Sequence, residues 1–138
     1  MGCSSEDDFS KKKITLKANG IYKVYKDIDV TFNETSFDGV PYTRITISAK
    51  PSEESDAVFE VFSIALHRGG ALDGESVNGA YLLNDQLYYY NFDQPINLNL
   101  SVNNEQRIKG TFEGMFTNDQ GENVMVTEGK IDITYDHQ

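Results

Sequence analysis

The sequence predicts an all-β protein: an antiparallel β-sandwich of eight to ten strands, with a closed or partly open β-barrel as the alternative. Three observations lead there. Apolar residues recur at every second position in segment after segment, the period of a half-buried strand. Turn-forming pairs rich in Asn, Asp and Gly separate these segments at short, regular spacing. No segment of any length carries the period of an amphipathic helix. One-sided strands of uneven length favour the sandwich, although the spacing alone does not exclude a closed barrel.

The elements follow in chain order. Ile14, Leu16 and Ala18 alternate with Thr15 and Lys17 and lead into Asn19-Gly20, a strong hairpin signal. The partner strand puts Tyr22, Val24, Ile28, Val30 and Phe32 on one parity and is long enough to bend near Lys26-Asp27. Residues 33–41 read as a loop turning at Asp38-Gly39. Tyr42 to Ala49 is a strand with Ile45, Ile47 and Ala49 inward. The acidic stretch 50–56 is a loop in which Ser52-Glu53-Glu54 is suited to one helical turn. Val58 to Leu66 is apolar on both parities, as a strand covered on both faces would be. Residues 71–78 read as a loop. Gly79–Leu83 and Leu87–Phe92 are strands around an Asn84-Asp85-Gln86 turn, and Ile96 to Val102 is a one-sided strand.

The longest hairpin is expected last. Ile108, Phe112 and Phe116 share a face with Gly110 and Gly114, and the turn is Asn118-Asp119-Gln120-Gly121. Val124 and Val126 face inward on the return strand. The apolar set then changes phase to Ile131, Ile133 and Tyr135, which predicts a β-bulge within one residue of Gly129.

With 138 residues the chain fits one domain. The expected division is a disordered tether over 1–12 and a single β domain over 13–136. The net charge of −10 is uneven: residues 1–50 carry eight Lys/Arg against seven Asp/Glu, and residues 51–138 carry four against fifteen. Such a surface repels nucleic-acid phosphate, so no nucleic-acid partner is expected. Lys11-Lys12-Lys13 is too small a cluster for a lipid-headgroup reader and reads as a solvated strand start.

Chemistry-bearing motifs are sparse. The single cysteine, Cys3, precludes an internal disulfide. No Gly-x-Ser-x-Gly elbow accompanies His67, and His137 lies in the C-terminal tail. Zinc spacing is absent. Asp27-Ile28-Asp29 and Asn118–Asn123 offer oxygen ligands but match no calcium loop, and Glu53, Glu54 and Glu60 have no special standing in so acidic a chain. The expectation is therefore no catalytic residues, no cofactor and no metal.

Gly2-Cys3 followed by Ser4-Ser5-Glu6-Asp7-Asp8 resembles the mature start of a bacterial lipoprotein. That resemblance makes Cys3 the lipidated residue, Gly2 the last residue of a signal peptide and Met1 a replacement start. The Ser-plus-acidic run resembles the signal that sends lipoproteins to the outer face of the outer membrane. The last third strengthens the likeness. Ile108, Gly110, Thr111 and Phe112, then Gly121, Val124, Val126, Thr127 and Gly129, resemble a recurrent pattern in a family of small bacterial envelope lipoproteins with a C-terminal β-hairpin domain of unknown function. Ile131 stands where that family has Phe; Gly79, Tyr81 and Leu83 match a second, weaker signal. The resemblance implies a β-rich envelope protein, with Cys3 as its membrane attachment.

Tyr88-Tyr89-Tyr90 is the one candidate binding surface. Neighbouring strand residues point to opposite faces. Tyr88, Tyr90 and Phe92 therefore share one face, and Leu87 and Tyr89 the other. Either the strand is covered on both sides or it offers rings to a ligand, an unknown protein or saccharide. The resulting expectation is a non-catalytic cell-surface lipoprotein domain that binds such a partner. The alternatives are a structural accessory subunit of an envelope assembly and a hydrolase with an unrecognised site.

Overall fold

The structure, a computed structural model, describes residues 12–51, 60–91 and 93–134. The tether apart from Lys12, the helical turn suggested at 52–54, Val58, Phe59, Phe92, Tyr135 and His137 lie outside them. Ten strands form: β1 (Lys12–Ala18), β2 (Ile21–Tyr25), β3 (Asp27–Phe37), β4 (Val40–Lys50), β5 (Val61–Arg68), β6 (Ser76–Leu83), β7 (Gln86–Tyr90), β8 (Asn97–Asn103), β9 (Arg107–Thr117) and β10 (Asn123–Thr134). All pair antiparallel, in one strongly curled sheet ordered β2-β1-β10-β9-β7-β6-β5-β4-β3, with β8 also beside β9. The all-β expectation holds, and of the two arrangements it allowed the partly open barrel is the one found.

Two broken strands produce the curl. β2 and β3 are one extended segment interrupted at Lys26, whose N–H bonds Lys50 O at 3.2 Å. Its first half pairs with β1 and its second with β4, so the segment links the two ends of the sheet. β7 and β8 do the same along β9: Tyr90 pairs with Phe116, and Asn97 resumes opposite Glu113. On β9, a Cβ at Gly110 would sit 2.3 Å from Asn99 O, so only glycine admits β8 this closely.

The bend at Lys26 also corrects a face assignment. Tyr22 is exposed, while Tyr25 is fully buried beside Ile14. Inward positions are odd in β2 and even from Ile28 onward, so the single parity read across 22–32 was wrong. The 33–41 loop is likewise a correction: β3 continues to Phe37 and pairs with β4 in unbroken register up to Phe37↔Val40. Polar side chains concealed this because the arm is solvated on both faces and is held by its backbone ladder. Its turn, Asp38-Gly39, has φ of 55° and 82°, the hand that suits a two-residue hairpin, as do Asn19-Gly20 (50°, 85°) and Asn84-Asp85 (54°, 66°). β6 likewise starts at Ser76, inside the expected 71–78 loop.

The expected bulge is present. Val126 pairs with Gly114 and Gly129 with Phe112, leaving one extra residue on β10, and Glu128 carries φ 52°. The extra residue restores Ile131 and Ile133 to the interior, where both are buried with Val124 and Val126. A Cβ at Gly129 would meet the Phe112 ring at 2.6 Å, so this position also excludes larger residues.

The core sits inside the curl. Phe62 on β5 stacks on Phe112 of β9 (centroids 5.3 Å apart) and meets Tyr81 at 5.3 Å and Phe116 at 5.9 Å edge-on. Tyr25 lies against it at 6.4 Å. Offset and edge-on ring pairs add to the gain from burying the rings. Since Phe112 is 2% exposed, Phe112→Ala is expected to cost about 3–5 kcal/mol. Urea denaturation measures this; a loss below about 1 kcal/mol would mean the ring does not tie β5 to β9.

Candidate functional site

The three consecutive tyrosines divide as strand geometry requires. Tyr90 is buried, with its hydroxyl donating to Ser76 O at 3.3 Å. Tyr88 packs partly buried against the core, its hydroxyl 3.3 Å from Gln86 Oε1. Tyr89 points outward and is 45% exposed. Of the proposed row of rings, Tyr89 is the exposed one and Tyr88 is partly so.

What lies beside Tyr89 follows from the register. Tyr89 pairs with Ala80 on β6 and Ala80 with Ser63 on β5. One step along, Asn78 pairs with Ala65 and Ala65 with Thr46 on β4; two further on, Arg44 pairs with His67. Small side chains thus floor the outer face, and the long side chains of Tyr89 and Arg44 rise at its edges. The result is a groove of about 300 Å³ bounded by Arg44, Thr46, Ser63, Asn78, Ala80 and Tyr89. Asn78 Oδ1 accepts the Gly79 N–H at 2.7 Å, which leaves the Nδ2 hydrogens to face a ligand or water. The groove offers one aromatic face, a guanidinium, hydroxyls and an amide. Such a set of groups can hold a ligand through stacking and hydrogen bonds.

His67 borders this region. Its ring stacks on Tyr42 at 4.3 Å, and its Nε2 is buried without a hydrogen-bond partner among the described residues. Burial, then the positive charge of Arg44, holds its pKa below the ordinary value. A larger cavity, about 550 Å³, opens between the β3–β4 arm and Arg68, lined also by Glu34, Ser36 and Tyr42. It is wide open, and its cation is already engaged: Arg68 bonds Asn103 Oδ1 at 2.9 Å and Asn104 O at 2.5 Å and lies over the Phe32 ring. We therefore place the candidate site at Tyr89.

One polar cluster escaped the sequence reading. Glu60, given no special standing there, is 8% exposed and accepts a 2.5 Å hydrogen bond from the Tyr25 hydroxyl. Lys23 Nζ approaches its other oxygen at 3.5 Å, and the Tyr25 and Tyr81 hydroxyls bond to each other. Burial above all raises the pKa of both phenols. The available signal was Tyr25, an aromatic residue off the parity assigned to its strand. The cluster is mostly buried and joins β2 to β6 and to Glu60 just ahead of β5, a structural role.

Among the described residues no group of three or more His, Cys, Asp or Glu is placed to hold a metal ion. In the turn once weighed for calcium, Asn118 Oδ1 accepts the N–H groups of Gln120 and Glu122 at 3.0 and 2.8 Å, so that oxygen serves the turn itself. Cys3 lies outside the described residues. The chain matches no protein-family model, no curated protein and no solved structure.

The His67 environment has a measurable consequence. Its folded pKa lies below 6.5, so as pH falls through that value the unfolded chain takes up the proton first. Stability is then full above the unfolded pKa and declines as pH falls toward the folded one. Urea midpoints of the native protein are expected to drop as pH falls below about 6.5, and His67→Gln should flatten that segment. Parallel profiles for the two proteins would assign the drop to other groups.

Proposed function

We propose that this chain is the folded domain of a non-catalytic envelope lipoprotein that binds a saccharide at the groove beside Tyr89. The observation that carries the reading is the isolated outward ring of Tyr89 at the edge of a polar, small-floored groove. A sugar presents an apolar face for a ring and a rim of hydroxyls for Asn78, Ser63 and Thr46. A protein partner would use the same ring as an interface anchor, since tyrosine is enriched there. The groove favours the sugar because its floor is narrow and hydrogen-bonding rather than broad and apolar.

The proposed location is the bacterial outer membrane, facing outward, with lipid on Cys3 as the attachment. The residues supporting this are the Gly2-Cys3 pair and the serine and acidic run after it. Cys3 precedes β1 by nine positions, a reach of at most roughly 30 Å, which would keep the groove near the surface it serves. A single acyl chain binds membranes only marginally, so the several chains of a lipoprotein anchor are needed.

Two experiments test this reading. On a glycan array, Tyr89→Ala is expected to weaken binding by about tenfold or more, roughly 1.4 kcal/mol, with the fold unchanged because the ring is solvated. A native protein that binds no glycan, or a variant that binds as well as it does, would defeat the saccharide site. In cells producing the full precursor, Cys3→Ala should move the protein from the membrane to the soluble fraction; retention in the membrane would count against the anchor.

A further inference from the structure

The groove contains a cation and no carboxylate. Arg44 is half-buried on β4 and pairs with no acidic side chain among the described residues, whereas Lys17, Lys23 and Arg107 pair with Glu128, Glu60 and Asp132. Asp73, which bridges to His67, uses Oδ1 to accept the Gly69 N–H at 2.7 Å. The cross-strand neighbours of Arg44 are Asn33, which is uncharged, and His67, whose charged form is itself disfavoured. A guanidinium partly withdrawn from water with no anion beside it is costly, and a ligand oxyanion relieves that cost. Its planar fork matches a carboxylate or a sulfate through two parallel hydrogen bonds.

We propose that the groove takes an acidic saccharide, with an oxyanion on Arg44 and a neighbouring sugar ring on Tyr89. This rests on the saccharide reading above and adds the charge of the ligand. The spacing suits a short oligosaccharide rather than a single ring. Arg44 and Tyr89 stand three strand steps apart, about 14 Å, and four residues apart along the strands, about 13 Å. Two long side chains bounding one groove at that separation leave room for a few linked units between them. The protein's net charge of −10 sharpens the argument: its overall field repels anions, so a preference for an acidic ligand has to arise locally.

The test is a panel of trisaccharides in matched pairs, titrated calorimetrically: galacturonate and glucuronate oligomers against their methyl esters, and sulfated galactose oligomers against the unsulfated form. At least one acidic member is expected to bind about tenfold more tightly than its neutral counterpart, with a preference that shrinks as salt is raised. Arg44→Gln should erase that preference, the acidic member losing about tenfold more affinity than the neutral one. Arg44→Lys should restore part of it, and Tyr89→Ala should weaken both members. The pair that responds tells carboxylate from sulfate. If acidic and neutral members bind equally, or the preference survives in Arg44→Gln, the acidic-ligand inference falls and the saccharide site stands. If no member of any pair binds, both fall together. Thermal midpoints of the variants within a few degrees of the native protein secure the comparison.

Discussion

Phe62 is the residue on which the barrel converges. Its ring touches Tyr25, Tyr81, Phe112 and Phe116, which belong to β2, β6 and β9. A one-sided sheet has to bury its apolar face against something, and among the described residues there is no helix and no second sheet to provide cover. It covers that face by curling until β5 and β9 meet across the interior. The breaks at Lys26 and between Tyr90 and Asn97, the glycine at 110 and the bulge at Glu128 all serve that curl. Each lets a strand turn a corner or keeps its inward phase after doing so.

Much of this was legible because its cause is local. Asn19-Gly20 fixes a two-residue turn by backbone preference alone, and the phase change around Gly129 appears in the spacing of Val126 and Ile131. The same logic failed at Tyr25, since the bend at Lys26 changes parity without a glycine or proline to mark it. It failed again at 33–41, where backbone pairing holds an arm whose side chains are indifferent to burial. The groove illustrates a deeper limit. Tyr89 could be named as one of three rings, and strand geometry could say that one or two of them face out. Its neighbours Ser63, Asn78 and Arg44 come from other strands, and which side chains align across strands is set by long-range register. One chain's periodicity does not contain that information.

The two polar clusters differ in a way that bears on their roles. At Glu60 the carboxylate, both phenols and the lysine satisfy one another behind the barrel wall. Such a network is expensive to leave half-made and helps specify one packing of β2 against β5. On the outer face, Arg44 and the Nε2 of His67 lack partners among the described residues. A satisfied interior network marks a staple, and an unsatisfied surface leaves groups that a ligand can complete.

The ladder between β1 and β10 sets an order on folding. Lys12 pairs with Ile133 and Ala18 with Val126, so the first strand of the domain lies against the last. β2 has no ladder except through β1. The β1–β2 hairpin can therefore turn at Asn19-Gly20 early, yet it has nowhere to dock until β10 has been synthesised. Contacts that span nearly the whole chain are slow to form because the connecting loop has to be closed first. A chain cut short before Asn123 would lose its amino-terminal hairpin as surely as its carboxyl-terminal strand. One wall of the barrel would be missing, and the rings around Phe62 would stand in water.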